Sequence, residues 1–210
     1  KALQNPARIS EDIKQLKQLD LATKIPLIAK QNLPQEISLD VDFYFVLFGA
    51  SSAFAVGKEN GLDLLQLPRL KDGSLNLDSI QRTIAHEMHH NGFALSIESN
   101  MPDNIESAGI SLLGVIAAEG MASYYNQQPY RRFLTGQALG KGTDNVVNAW
   151  REKLPKVEQI FLRTETALQQ CIDGKFNKND LYSVWLSGIQ GDAYIVGAAM
   201  FKLIEQQLGH

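Results

Sequence analysis

The sequence lacks the features that build disulfide-rich or membrane-spanning proteins. Its 210 residues include a single cysteine, Cys171, which excludes an intramolecular disulfide and a cysteine-type zinc site. The most apolar stretch, residues 43–56, is interrupted by Gly49 and two serines, and it is shorter than the roughly 20 residues of a spanning helix. We therefore expect no membrane span, and we interpret Cys171 as a small apolar residue on a helix.

The charges are also unremarkable in number and distribution. The net charge is -3, from 20 basic and 23 acidic residues, and no polybasic patch is present. Nucleic acid and anionic membranes are therefore not expected as partners. The chain begins at Lys1 rather than methionine, which favours a secreted or periplasmic protein over a cytoplasmic one, although the compartment stays open. The oligomeric state is not indicated.

Histidine is rare, yet three of the four histidines fall in residues 86–90, His-Glu-Met-His-His. In a helix, His86 and His90 would project from one face and could bind one metal ion. Glu87 lies beside them, where it can act as general base on a metal-activated water. The alternative is a solvated polar patch on an amphipathic helix. Apolar side chains recur every four positions and support the helix, at Ile80, Ile84 and Met88.

A catalytic zinc ion usually takes three protein ligands and leaves a fourth position open. His210 is terminal, so we expect a carboxylate as third ligand, and Glu119 is the best candidate. In a helix its neighbours on one side would be the apolar Ile116, Val115 and Leu112. A carboxylate buried there needs a strong partner, such as zinc held by two imidazoles. A buried salt bridge, or a carboxylate that reaches solvent, remains an alternative.

Three further residues are expected to support the site without binding the metal. We expect His89 to be structural or to support a ligand, because ligation by His89 would abandon the better-spaced pair His86 and His90. Gly114 and Gly120 disfavour a helix by propensity. We expect these small residues to let the helix of Glu119 approach the motif helix closely.

The order of elements predicts one α+β domain over residues 1–210, with a sheet-containing part to about residue 77 and a helical part from about residue 78 to 210. The first strand is expected to be buried on both faces and the third to lie near a sheet edge. Strands are predicted at 41–48, 53–56 and 61–67. Helices are predicted at 10–22, 78–95, 105–126, 144–172 and 192–208, with a short helix near Leu181 and a loop at Gly136, Gly140 and Gly142.

These motifs resemble the gluzincin-type zinc metallopeptidases, in which a Glu on a downstream helix is the third ligand. The resemblance rests on the motif of residues 86–90, on Glu119-Gly120-x-Ala122, and on the segment 191–197 with its Tyr-x-x-Gly pattern. It covers about residues 62–208 and is strongest for little-characterised bacterial families described as zinc-dependent peptidases. Only the first motif is highly specific.

The sequence departs from the best-studied members in one respect. A gap of 28 residues separates His90 from Glu119, and Ala118 precedes the glutamate. Those members have a shorter gap and an asparagine at that position. The departure places this chain outside the thermolysin-like branch.

The resemblance implies a zincin-like fold and hydrolysis of peptide or protein substrates with a zinc cofactor. His86, His90 and Glu119 would hold the metal. Glu87 would take a proton from water and pass it to the leaving amine. Tyr194 is the candidate hydrogen-bond donor to the oxyanion, and Tyr124 and Tyr125 are its competitors.

The resemblance also implies that an edge strand ahead of the motif helix holds an extended peptide, and residues 61–67 are the expected strand. An ordinary structural strand is the alternative. At the level of function, the alternative is a regulatory or structural zinc-binding protein, such as an inactive peptidase relative without turnover. Hydrolysis of another amide or an ester is a third possibility.

Overall fold

A small sheet and two short helices precede the long helix that carries the histidine motif. The computed structural model describes residues 5–47, 49, 53–98, 108–126, 145–187 and 190–209. The chain divides into two compact units, residues 1–100 and 101–210, each with its own hydrophobic core. The predicted α+β class is confirmed, whereas the single zincin-like domain stays a prediction.

The first unit contains three helices and three strands among its described residues. They are α1 (Pro6–Leu16), α2 (Lys24–Ala29), β1 (Asp42–Val46), β2 (Ala53–Val56), β3 (Glu59–Asp63) and α3 (Leu77–Glu98). Helix α1 begins four residues before the predicted start at Ser10. Its N-cap is Asn5, whose Oδ1 accepts a hydrogen bond of 3.1 Å from the backbone N–H of Arg8, and Pro6 takes the first helical position.

Strand β3 is the central strand of the sheet. It pairs in parallel with β1 and antiparallel with β2, so the strand order is β1-β3-β2. The prediction that residues 61–67 form a strand near the edge is therefore wrong. Main-chain pairing on both sides leaves β3 no edge for an extended peptide, and the strand ends at Asp63.

The prediction that β1 is buried on both faces is also wrong. Phe43 and Phe45 pack against the core of the first unit, but Tyr44 between them is 46% exposed. Tyr44 pairs with Gly61 of β3, which in turn pairs with Phe54 of β2. The ring of Phe54 covers Gly61, since a Cβ there would lie 2.3 Å from its ring atoms.

Helix α3 is capped by Asn76, whose Oδ1 accepts a 3.1 Å hydrogen bond from the backbone N–H of Ser79. Its core side includes Ile80, Ile84 and Met88, as the four-residue spacing predicts. Further along α3, the Nδ2 of Asn91 donates a hydrogen bond to the carbonyl of Gly57 in the turn between β2 and β3. The motif helix is thereby tied to the sheet of its own unit.

The second unit is helical throughout its described residues. Its elements are α4 (Ala108–Met121), a π-helical turn (Ala122–Asn126), α5 (Asn145–Lys153), a 3-10 turn (Leu154–Lys156), α6 (Val157–Ile172), α7 (Lys178–Asp180), a second π-helical segment (Leu181–Leu186) and α8 (Asp192–Leu208). The helix predicted at 144–172 is interrupted where Pro155 occurs. The predicted loop glycines at 136, 140 and 142 lie outside the described residues.

Asp192 anchors the start of α8. Its side chain is 12% exposed and contacts Arg163, whose Nη2 lies 2.5 Å from its Oδ2, and Lys153, whose Nζ lies 3.4 Å from its Oδ1. A carboxylate in the first turn is also favoured by the helix dipole. In the described ranges of both units, no helix combines the length and the apolar character needed to cross a membrane.

Candidate metal centre

His86 and His90 face each other across one turn of α3, as the motif predicts. Their Nε2 atoms lie 3.0 Å apart, and the ring planes are perpendicular with centroids 4.6 Å apart. His86 is buried and His90 is half-buried. The helix is continuous through this region, so the spacing follows directly from α-helical geometry.

The donor set of this pair fits zinc. Two imidazole nitrogens bound tetrahedrally at about 2.05 Å from one zinc ion would be separated by about 3.3 Å. The Nε2 separation of 3.0 Å is close to that value. The two Nε2 atoms are also within hydrogen-bond distance of each other, so either a shared proton or a metal ion could join the rings.

Glu87 and His89 differ in their surroundings. Glu87 follows His86 on α3 and is half-buried. His89 is 0% exposed, and neither ring nitrogen has a hydrogen-bond partner among the residues described. Burial, together with the nearby His90 and His86, lowers the pKa of His89 to about 3. The predicted structural role of His89 stays a prediction, and its burial is compatible with that role.

Glu119 lies on α4 and is half-buried, with buried Ile116 and Leu112 on the preceding turns. Glu119 was predicted as the third ligand beside His86 and His90, and this assignment stays a prediction. Two imidazoles and one carboxylate are an ordinary ligand set for zinc.

The two glycines of α4 have different surroundings. A Cβ on Gly120 would lie 2.4 Å from the Cα of Gly197 in α8 and 2.8 Å from the backbone nitrogen of Ala198. A Cβ on Gly114 would have no described atom within 4 Å. We expected Gly120 to let its helix approach the motif helix closely. The backbone atoms that leave no room for a Cβ at Gly120 belong instead to α8.

The three candidate tyrosines are in different environments. Tyr124 is 1% exposed, and its hydroxyl donates a hydrogen bond to the carboxylate of Glu205. Tyr125 packs against Phe201, with ring centroids 6.0 Å apart. Tyr194 lies in the first turn of α8 and is half-buried against the core of the second unit. The assignment of Tyr194 as oxyanion donor stays a prediction.

Two buried polar residues were missed by the sequence reasoning. Ser123 and Asn126 lie in the π-helical turn that directly follows α4, four and seven residues beyond Glu119. They are 0% and 1% exposed, and their side chains have no hydrogen-bond partner among the described residues. Their positions, four and seven residues after Glu119 on the same side of a helix, were the sequence signal that could have identified them. Single π-helical turns within helices are frequent at functional sites.

One comparison with known proteins gives a match. The model of the family described as "Putative zinc dependent peptidase (DUF5700)" matches residues 1–210. No curated protein and no solved structure matches the chain. Because the match spans the entire chain, the protein belongs to this family, whose description gives a zinc-dependent peptidase activity only as putative.

Proposed function

We propose that the protein is a zinc-dependent peptidase of the gluzincin type, with a zincin-like fold. His86, His90 and Glu119 are the proposed ligands of one zinc ion. The observation that most supports the proposal is the facing pair His86 and His90 on one helix, with their Nε2 atoms 3.0 Å apart. The family description also names zinc.

The proposed chemistry assigns each group a task. A bound zinc ion would supply Lewis-acid chemistry, which makes water more acidic and polarises a carbonyl group. Glu87 follows the ligand His86 and would accept the proton of the attacking water, then give it to the leaving amine. Its half-buried position limits solvation of the carboxylate, which suits a group that must both accept and donate a proton.

Tyr194 is the proposed donor of a hydrogen bond to the oxyanion. Tyr124 is the weaker candidate, because its hydroxyl already donates to Glu205. The ring of Tyr125 packs on Phe201. Tyr194 also lies one turn before Gly197, which touches the residue that follows Glu119. The proposed substrate is a peptide or protein.

Zinc content per chain tests the ligand set. We would compare wild type, Glu119→Ala and the control Glu165→Ala, whose side chain is exposed on α6. About one zinc per chain in wild type and in the control, with loss in Glu119→Ala, is the expected result. Wild type without zinc after reconstitution would refute the proposal. Full retention in Glu119→Ala would move the third ligand elsewhere.

Hydrolysis tests the activity. Wild-type protein would be incubated with a defined peptide mixture, with and without a chelator, and products would be identified by mass. Zinc-dependent cleavage at peptide bonds is expected. A zinc-loaded protein that cleaves no peptide, but hydrolyses simple esters or other amides, would keep the metal chemistry and refute the peptidase assignment.

A further inference from the structure

We infer that Gly120 and Gly197 are positioning residues. Their contact holds the turn of α4 that carries Glu119 against the turn of α8 that follows Tyr194. This inference rests on the proposed function, because it concerns the placement of a proposed zinc ligand and a proposed hydrogen-bond donor. It assigns a role to two residues without functional side chains.

The contact is made by backbone against backbone. A Cβ on Gly197 would lie 2.1 Å from the carbonyl oxygen of Ile116 and 2.7 Å from the Cα of Gly120. A Cβ on Gly120 would lie 2.3 Å from the carbonyl carbon of Gly197. Backbone atoms cannot rotate away as a side chain can, so one added methyl group must move a helix.

The position of the contact along each helix links it to the site. Gly120 directly follows Glu119, so a displacement of α4 at Gly120 also displaces the Glu119 carboxylate. Tyr194 lies three residues before Gly197, about one helical turn, so the same displacement changes where its hydroxyl lies. Glu119-Gly120 and Tyr194-x-x-Gly197 are thus two sides of one helix crossing.

The start of α8 is held at a second point. Asp192 contacts Arg163 and Lys153, and a Cβ on the preceding Gly191 would lie 2.0 Å from the carbonyl oxygen of Trp185. Because α8 is fixed at Asp192 and again at Gly197, the segment between these two residues has little freedom to shift. That segment includes Tyr194.

Helix propensity does not explain these glycines. Glycine in a helix interior is less stable than alanine, so two of them facing each other indicate a packing requirement. A methyl group added at Gly114 on the same helix would have no described atom within 4 Å, so this residue provides the matched control. Glycine can therefore be changed to alanine where the added methyl group meets backbone atoms, in Gly120→Ala and Gly197→Ala (the wedge variants). It can also be changed where the methyl group meets no described atom, in Gly114→Ala.

The test compares zinc affinity and coordination in Gly120→Ala, Gly197→Ala and the control Gly114→Ala. Affinity would be measured by competition with a chelator, and coordination by the visible spectrum of the cobalt-substituted protein. We expect a roughly 10–100-fold loss of affinity and an altered spectrum in the two wedge variants, as for other groups that orient a ligand. Gly114→Ala should match wild type in both measurements.

A second control separates positioning from a loss of stability. Ile116→Val removes one buried methyl group near the crossing without adding an atom, so it should destabilise the unit yet keep zinc affinity. Wedge variants that fold and bind zinc as tightly as wild type would overturn the inference alone. A wild type that binds no zinc would overturn the proposed function and this inference with it.

Hydrogen exchange on wild-type protein provides the test if the wedge variants do not fold. Zinc should slow amide exchange in α3, around Gly120, and also around Gly197, because the crossing transmits the constraint on Glu119 to α8. Slower exchange in α3 and around Gly120, with no change around Gly197, would overturn the inference.

Discussion

The Nε2 atoms of His86 and His90 lie 3.0 Å apart across one turn of α3, with their rings perpendicular. This relationship is local to one helix and depends on no distant packing. It places two ring nitrogens at a separation close to the roughly 3.3 Å expected for two imidazoles on a tetrahedral zinc ion. Glu87 follows the first of these histidines directly in the sequence and is half-buried.

Glu87→Gln should abolish peptide hydrolysis while zinc content stays at the wild-type level. Glutamine keeps the size of the side chain but cannot accept a proton, and loss of a general base costs about 10²–10⁴-fold in rate. Turnover and bound zinc would be measured on the same preparation. Unchanged turnover would favour the alternative of a zinc site without a catalytic role for Glu87.

Tyr194→Phe should lower kcat with little change in zinc content or KM. The hydroxyl is proposed to stabilise charge that develops only in the transition state, and loss of one such donor costs about 10²–10³-fold. Tyr182→Phe is the control, because Tyr182 is 74% exposed. Equal kcat values for the two variants and wild type would remove Tyr194 from the mechanism.

Arg69→Ala should strongly destabilise the first unit. The Nη2 of Arg69 lies 2.5 Å from the Oδ2 of Asp12, and these side chains are only 19% and 5% exposed. Removal of the arginine leaves a buried carboxylate unpaired, which costs about 3–5 kcal/mol in the free energy of unfolding. Urea denaturation measures the change.

The control for this prediction is the exposed pair on α3. Arg82 and Asp78 are joined at 3.0 Å, but the Asp78 side chain is 75% exposed. Arg82→Ala should therefore cost less than about 1 kcal/mol. A similar cost for both variants would show that burial of Asp12 does not govern the strength of its pair.

Ser123→Ala should leave the free energy of unfolding unchanged or raise it by about 1 kcal/mol. The hydroxyl is fully buried without a partner among the described residues, so its removal relieves a desolvation penalty. Thr164→Val is the contrast, because the buried Thr164 hydroxyl donates to the carbonyl of Ile160 at 2.9 Å. That variant should lose about 1 kcal/mol.

Chemical denaturation of Ser123→Ala and Thr164→Val measures both changes in the free energy of unfolding. A clear loss of stability in Ser123→Ala would mean that the hydroxyl has a partner in the folded protein. A gain in stability accompanied by slower turnover would instead indicate that Ser123 serves the reaction.

The helical elements were largely predictable because their signals are local. The motif helix was predicted at 78–95 and extends over Leu77–Glu98, and the last helix was predicted at 192–208 as observed. Strand β2 was also predicted at its observed bounds. In each case the apolar periodicity, the capping residues and the residues that end the element lie within the segment itself.

The sheet was less predictable because pairing is not local. The apolar pattern of residues 61–67 ends at a proline, which indicated an edge strand, yet β3 ends at Asp63 and pairs on both sides. Which neighbour a strand takes depends on segments elsewhere in the chain. The exposure of Tyr44 has the same origin, since only the packed sheet decides which face is covered.

The sequence by itself determined that His86 and His90 face each other, because four-residue spacing in a helix brings both to one face whatever surrounds them. The apolar neighbours of Glu119 likewise identified it as a carboxylate in need of a partner. Only the tertiary structure decided that Gly120 meets Gly197, that Tyr124 is engaged by Glu205, and that His89 is buried with no hydrogen-bond partner among the described residues. These relationships join atoms that are remote in sequence or depend on the completed core, and local periodicity carries no information about either.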